Sequence, residues 1–200
     1  MLRSSLFFAC AALAASIATA QTGREATDIA SHPFSEDFVS GGQLRLRVRS
    51  GEVHVIGTDQ NKVTVELSGR KAPDAQALKV RWERRDNTAK LRISGGPRSD
   101  LTITVRIPTN TDLHARIPFG EVHVENIAGN KDVELHAGEL TVDVGPAADY
   151  SHVDASVFTG EVDAAAFGES HGGLFRSFKR EGNGRYRLHA HLGAGQLTLQ

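Results

Sequence analysis

The sequence predicts an all-β protein, with a strand-rich N-terminal part over residues 34–107 running into a stacked β-solenoid over 108–200. Three observations carry this. Apolar and polar residues alternate with period two through most of the chain after Phe34, a Gly-Glu-apolar formula recurs along it, and no segment sustains a helical period.

The chain opens on residues with a different purpose. Arg3 supplies a positive start, Leu6 to Ile17 form an apolar stretch, and Ala18-Thr19-Ala20 matches a small-residue cleavage pattern. A secretory signal over residues 1–20 is expected, with cleavage after Ala20 and export to the periplasm or the exterior. The apolar stretch is shorter than the roughly 20 residues that a membrane-spanning helix needs. Cys10 is the only cysteine and lies inside this segment, with apolar residues on both sides rather than at a lipidation site. The mature chain therefore has no thiol, which excludes disulfides, Cys-ligated zinc and Cys nucleophiles.

Of the 200 residues, 180 remain once 20 are removed, with 22 basic residues (23 less Arg3) against 24 acidic. That balance disfavours nucleic acid or an anionic membrane as the main partner, because both reward clustered Lys and Arg. Arg176, Lys179 and Arg180, interleaved with Phe175 and Phe178, are the nearest approach to a basic patch. They are flanked by Glu169 and Glu181 and read as a solvated strand or loop.

Residues 21–33 are polar, lack periodicity and end at Pro33, so a flexible leader is expected. Alternation then begins. Leu44, Leu46 and Val48 interleave with Arg45, Arg47 and Arg49; Val53 and Val55 with Glu52 and His54; Val63, Val65 and Leu67 with Thr64 and Glu66. Leu101, Ile103, Val105 and Ile107 interleave with Thr102, Thr104 and Arg106. Each run has one buried and one wet face. Pro73 to Arg85 is the one helix candidate, yet Leu78, Val80 and Trp82 sit two apart and Asp86-Asn87 makes a turn toward Leu91 and Ile93. A hairpin is expected there, preceded by at most one helical turn at 74–77.

The glycine formula recurs as Gly42-Gln43-Leu44, Gly51-Glu52-Val53, Gly120-Glu121-Val122, Gly138-Glu139-Leu140, Gly160-Glu161-Val162 and Gly195-Gln196-Leu197. Intervals of 18 and 22 residues follow Gly120, and Gly184 comes 24 residues after Gly160. Such a period suits one solenoid coil, with glycine at corners that a Cβ would forbid. A β-sandwich whose hairpins turn at glycine is the alternative.

Phe38 with Gly42-Gln43-Leu44, the block Gly51 to Gly57, the strand Leu101 to Pro108, the later Gly-led strands and the closing Gly195 to Leu199 together resemble a bacterial family. It is the exported "putative adhesin" group, a domain of unknown function similar to autotransporter adhesin heads. The resemblance spans about residues 34–200 and implies a β-helix-like fold, a place at the cell envelope and no known enzyme activity. It brings no functional residues with it.

No H-E-x-x-H helix, Walker loop or dinucleotide fingerprint occurs, and no nucleophile elbow is expected. Ser151, His152 and Asp154 are neighbours, but on a strand Ser151 points away from the other two, which defeats a triad. Nine histidines are present. His189 and His191 share a strand face, and His54 and His123 fill the same slot of a Gly-Glu-Val-His-Val repeat. A metal would need three or four ligands, so these read as polar-face residues. Glu121, Glu139 and Glu161 recur beside the glycines as an outward, solubilising slot. A carbohydrate-cleaving site would need one distinctive acid pair.

The expectation is thus a non-enzymatic exported module, adhesin-like, with an envelope protein or glycan as partner and with no catalytic, cofactor-binding or metal residues. The alternatives are a carbohydrate-binding or carbohydrate-cleaving solenoid and a periplasmic metal-binding or sensor protein. Gly195 to Gln200 has no capping element after it, and it is expected to be an open edge strand for self-association.

Overall fold

The computed structural model describes residues 21–200, apart from the side chains of Gln21 and of residues 170–175. The signal expected over residues 1–20, Cys10 included, lies outside the described residues. Thirteen strands follow one another: β1 (Gln21–Ala26), β2 (Phe34–Asp37), β3 (Gln43–Val48), β4 (Ser50–Thr58), β5 (Lys62–Ser68), β6 (Lys79–Arg85), β7 (Thr88–Ser94), β8 (Thr102–Pro108), β9 (Asp112–Glu125), β10 (Lys131–Val142), β11 (Tyr150–Ala164), β12 (Glu169–Glu181) and β13 (Tyr186–Leu199). All belong to one sheet, so the protein is all-β. Helical structure among the described residues is limited to short 3-10 turns. One of them, Ala75–Ala77, precedes the β6–β7 hairpin, as the sequence led one to expect.

The sheet is organised by bent strands. β9, β10, β13 and β11 run parallel and in register, and β3 with β4 completes the set by pairing along the whole length of β9. Each bends at a glycine, and Gly51, Gly120, Gly138, Gly195 and Gly160 fall in one cross-strand column. Their φ angles run from +122° to +138°, a region that L side chains rarely adopt. The column is also closely stacked: a Cβ on Gly138 would lie 1.8 Å from the Gly120 carbonyl oxygen. Gly42, which shares the sequence formula, and Gly184, which follows Gly160 at a similar interval, precede strands instead of sitting at the corner.

The bend switches the buried parity. On β9, Leu113, Ala115 and Ile117 face inward before the corner, and Val122 and Val124 after it. The sheet thereby divides into two arms that contribute to one hydrophobic cluster. In the first arm the pre-glycine halves continue from β3 to β7, β6 and β1; in the second the post-glycine halves continue from β4 to β8, β5 and β2. Trp82, with Phe34 at 6.2 Å and Phe38 at 5.9 Å between ring centres, fills the N-terminal end of the core.

Two expectations are corrected. Residues 21–33 are not a free leader: Gln21 to Ala26 pair with Arg85 to Val80 as β1, and Ile29 is buried. The side chains of Thr22 to Glu25 are all exposed, so this strand leaves no period-two signal. Nor is the C-terminal segment an edge. β13 lies between β10 and β11 and pairs with both, and Gln200 exchanges backbone hydrogen bonds with Val142 and Val144. After β11 the chain first returns antiparallel as β12, then slots β13 into the gap. The neighbours in space are therefore not the neighbours in sequence that a simple succession of coils would give. β1, β2 and β12 are the edges, each paired on one side only.

Candidate functional site

Strict alternation on β3 turns Arg45 and Arg47 outward while Leu44, Leu46 and Val48 enter the core. β7 does the same with Lys90 and Arg92 around Leu91. The register then aligns these outward residues. Arg81 faces Arg92, Arg92 faces Arg47, and Arg47 faces Arg116, so four guanidinium-bearing residues form one row across β6, β7, β3 and β9. At about 4.8 Å between strands, the row spans about 14 Å. A second row beside it holds Glu83, Lys90, Arg45 and His114.

Like charges directly opposite one another on a sheet are destabilising, by several tenths of a kcal/mol to about 1 kcal/mol per pair. The ends of the arginine row are compensated. Arg81 pairs with Glu25 at 2.9 Å, which holds the Glu25 carboxyl below its usual pKa range. Arg116 pairs with Asp132 at 2.7 Å and Glu134 at 3.0 Å. Among the described residues, Arg45, Arg47, Arg49, Lys90 and Arg92 form no ion pair and no side-chain hydrogen bond. All five are exposed. Arg47 and Arg92 also line two adjoining grooves. One, of about 320 Å³, is bounded by Arg45, Arg81 and Lys90. The other, of about 680 Å³, reaches Arg49, Arg116, Pro118 and Phe119. The Phe119 ring is 59% exposed at the bend.

The outer face of the second arm has the opposite sign. Glu52, Glu121 and Glu139 stand directly opposite one another in a row that Gln196 and Glu161 continue. The outward slot expected for the glutamates is thus observed. His54 and His123, equivalent by sequence, stack with ring centres 4.7 Å apart. Each bonds the glutamate two residues before it, at 2.9 Å and 2.8 Å. The His54 bond, followed by one from the Thr102 hydroxyl, lowers the Glu52 pKa.

His189 does come near two carboxylates: ligand atoms of Asp132, Glu134 and His189 lie within 4.8 Å of one another. One Asp132 oxygen, Oδ1, is buried without a hydrogen-bond partner. The other accepts from Arg116 and lies 3.0 Å from His114 Nδ1. Burial opposes ionisation of Asp132, but the Arg116 and His114 hydrogen bonds together outweigh it and leave the pKa lowered. Arg116 already bridges both carboxylates, so it supplies the positive charge that a metal ion would bring, and the residues fit a metal poorly. His191 is elsewhere engaged, 2.9 Å from the Ser156 hydroxyl.

The triad candidates are scattered. The Ser151 hydroxyl donates to the Tyr186 carbonyl, His152 contacts Glu181 at 2.7 Å, and Asp154 pairs with Lys179 at 3.2 Å. One pentapeptide, Gly168-Glu169-Ser170-His171-Gly172, does have the spacing of a nucleophile elbow. An elbow is a strand-to-helix turn, whereas here Gly168 ends a 3-10 turn and Glu169 begins edge strand β12. Of the short basic run, Lys179 is paired as above, and Arg180 lies over the Phe167 ring at 5.1 Å.

The arginine row was the feature that composition concealed. Its parts, Arg45-x-Arg47-x-Arg49 and Lys90-x-Arg92, are visible as alternation. The adjacency of β3 and β7, whose paired residues such as Arg47 and Arg92 lie 45 positions apart in the chain, is not. No protein-family model matches the chain, and no curated protein matches it. Among solved structures, a Clostridium sporogenes protein described as a putative cell adhesion protein is 15% identical. The match covers 84% of this chain and 97% of that one with a TM-score of 0.49. At that score the likeness carries no argument.

Proposed function

We propose that this protein is a non-enzymatic, exported interaction module of adhesin-like type, with stacked solenoid-like coils, that engages a partner at the cell envelope through its outer sheet faces. One observation supports the reading above the others: the two outer faces carry segregated rows of like charge in directly opposed positions. Such rows reduce stability, and a fold that needs only solubility would intersperse the signs. A straight row of side chains at strand spacing is suited to an extended partner. The signal expected at residues 1–20 supplies the route to that partner.

The test joins location to binding. The full chain is expressed in a bacterium, the cells are fractionated, and the exported species is weighed intact. The purified mature protein is then sedimented with isolated envelopes at low and high salt. The expected result is a chain beginning at Gln21 that cosediments at low salt and is released at high salt. A chain that stays in the cytoplasm with Met1 retained, or that never binds envelopes, contradicts the proposal.

A further inference from the structure

We infer that the basic face of the first arm holds an extended, carboxylate-bearing polysaccharide, laid across β6, β7, β3 and β9 along Arg81, Arg92, Arg47 and Arg116. This rests on the interaction-module reading and assigns one ligand class to one face. Three features of the face point to this ligand.

The first is charge. Arg47 and Arg92 stand at the centre of the row without an ion pair among the described residues, and Arg45 and Lys90 stand beside them in the same state. A guanidinium matches a carboxylate as a planar, two-pronged donor, and this geometry favours arginine over lysine. The second is shape. The charges line grooves of about 320 Å³ and 680 Å³ that meet at Arg47 and Arg92, so the site is a furrow rather than a flat plate. A bilayer surface cannot enter a furrow, and among the large apolar side chains of the described residues only Phe119 is exposed there to insert into lipid.

The third is mixed chemistry. The larger groove places the exposed Phe119 ring and Pro118 beside the arginines, with Glu134 and His136 on the same wall. A pyranose has a flat C–H face that stacks on an aromatic ring and hydroxyls that need acceptors and donors. Glu134 and His136 provide those, and the arginines take the acidic groups. Cationic spacing separates this ligand from duplex nucleic acid. The row offers one charge per strand, about 4.8 Å apart, whereas a DNA duplex carries one per roughly 1.7 Å of axis.

The experiment measures binding of polygalacturonate to the purified mature protein by calorimetry, at low and at physiological salt. Neutral dextran, single-stranded DNA and vesicles with anionic lipid are the comparison probes. The parent should bind polygalacturonate in preference to all three, with affinity falling as salt rises. Arg47→Ala and Arg92→Ala should each weaken binding by roughly 10-fold or more, since each removes a hydrogen-bonded charge pair. Phe119→Ala should weaken it by roughly 3-fold or more with the salt dependence unchanged. Loss of folding is not a concern for the arginine changes, because each relieves a like-charge opposition; circular dichroism of each variant checks this. Equal binding of dextran, or tighter binding of DNA or vesicles, overturns the inference.

The inference and the reading beneath it fail differently. Envelope binding that survives Arg47→Ala/Arg92→Ala but is lost in Glu121→Gln/Glu139→Gln leaves the interaction module standing and removes the polysaccharide. A parent protein that binds neither envelopes nor polygalacturonate removes both.

Discussion

The two arms of the sheet share five bent stretches of chain, extended by β7, β6 and β1 in one and by β8, β5 and β2 in the other, yet they treat charge in opposite ways. Past the corner, the first two glutamates of the row are attended to: His54 and His123 bond to Glu52 and Glu121, Thr102 donates to Glu52, and Arg106 pairs with Glu66 on the neighbouring strands. Before the corner, compensation reaches only the ends of the arginine row. Shared backbone geometry therefore does not dictate the surface. The parallel register forces equivalent positions into rows, and whether a row is neutralised is left to the side chains.

The largest expected effect concerns what joins the arms. Gly138→Val puts a β-branched side chain at φ +134° with its Cβ 1.8 Å from the Gly120 carbonyl oxygen. The loss should be about 4 kcal/mol or more, or no folding at all. Glu139→Ala, one residue on and facing water, should stay within about 0.5 kcal/mol. Urea unfolding of the pair measures both, and equal midpoints would break the idea that the corner fixes the two arms.

The next effect lies beneath the first arm. Lys131 occupies an inward position aligned with Leu113 and Leu188, and its ammonium donates to the Tyr150 hydroxyl, which in turn donates to the Val144 carbonyl. Burial lowers its pKa to about 8, against the opposing pull of Asp143 and Asp149. The unfolded chain keeps the Lys131 proton up to its ordinary pKa of about 10.4, so between about pH 8 and pH 10 it binds a proton that the folded chain has released. Stability should rise with pH through that window. Above pH 10 the sign reverses, because burial raises the Tyr150 pKa and the unfolded chain then loses its tyrosine proton first. Lys131→Met should stabilise the protein at pH 7 by about 1–3 kcal/mol and abolish the rise between pH 8 and pH 10. Thermal unfolding across that range tests it, and an unchanged pH profile in the variant would refute the assignment.

Smaller still is the direct contrast of the two rows. Arg47→Ala/Arg92→Ala should raise stability by about 0.5–1 kcal/mol at low salt, an increment that shrinks as salt screens the row. Glu121→Gln/Glu139→Gln should change it by less than about 0.5 kcal/mol, since removing the repulsion also weakens the Glu121–His123 bond by taking away the carboxylate charge. Equal gains from both pairs would erase the distinction between the arms.

What the sequence disclosed follows from what is local. Alternation named the inward residues of β3, β4, β5 and β8, and Asp86-Asn87 named the β6–β7 turn, because both depend on residues close in the chain. The corner glycines were legible as a formula, although Gly42 shares its wording and has another position. Long-range facts were silent. Nothing in Gly195 to Gln200 reveals that β10 and β11 leave a gap for it, and β1 is too polar on both faces to show a period. The arginine row belongs to the same class: alternation exposes each arginine, and only the register lines them up.

The most direct test of the central claim is the salt dependence of polygalacturonate binding in three proteins: the parent, Arg47→Ala/Arg92→Ala and Glu121→Gln/Glu139→Gln. A logarithmic plot of affinity against salt gives a slope that counts the charges engaged. The bare-row account predicts a markedly shallower slope and weaker binding in the arginine variant, with the glutamate variant indistinguishable from the parent. Identical slopes in the parent and the arginine variant would contradict it.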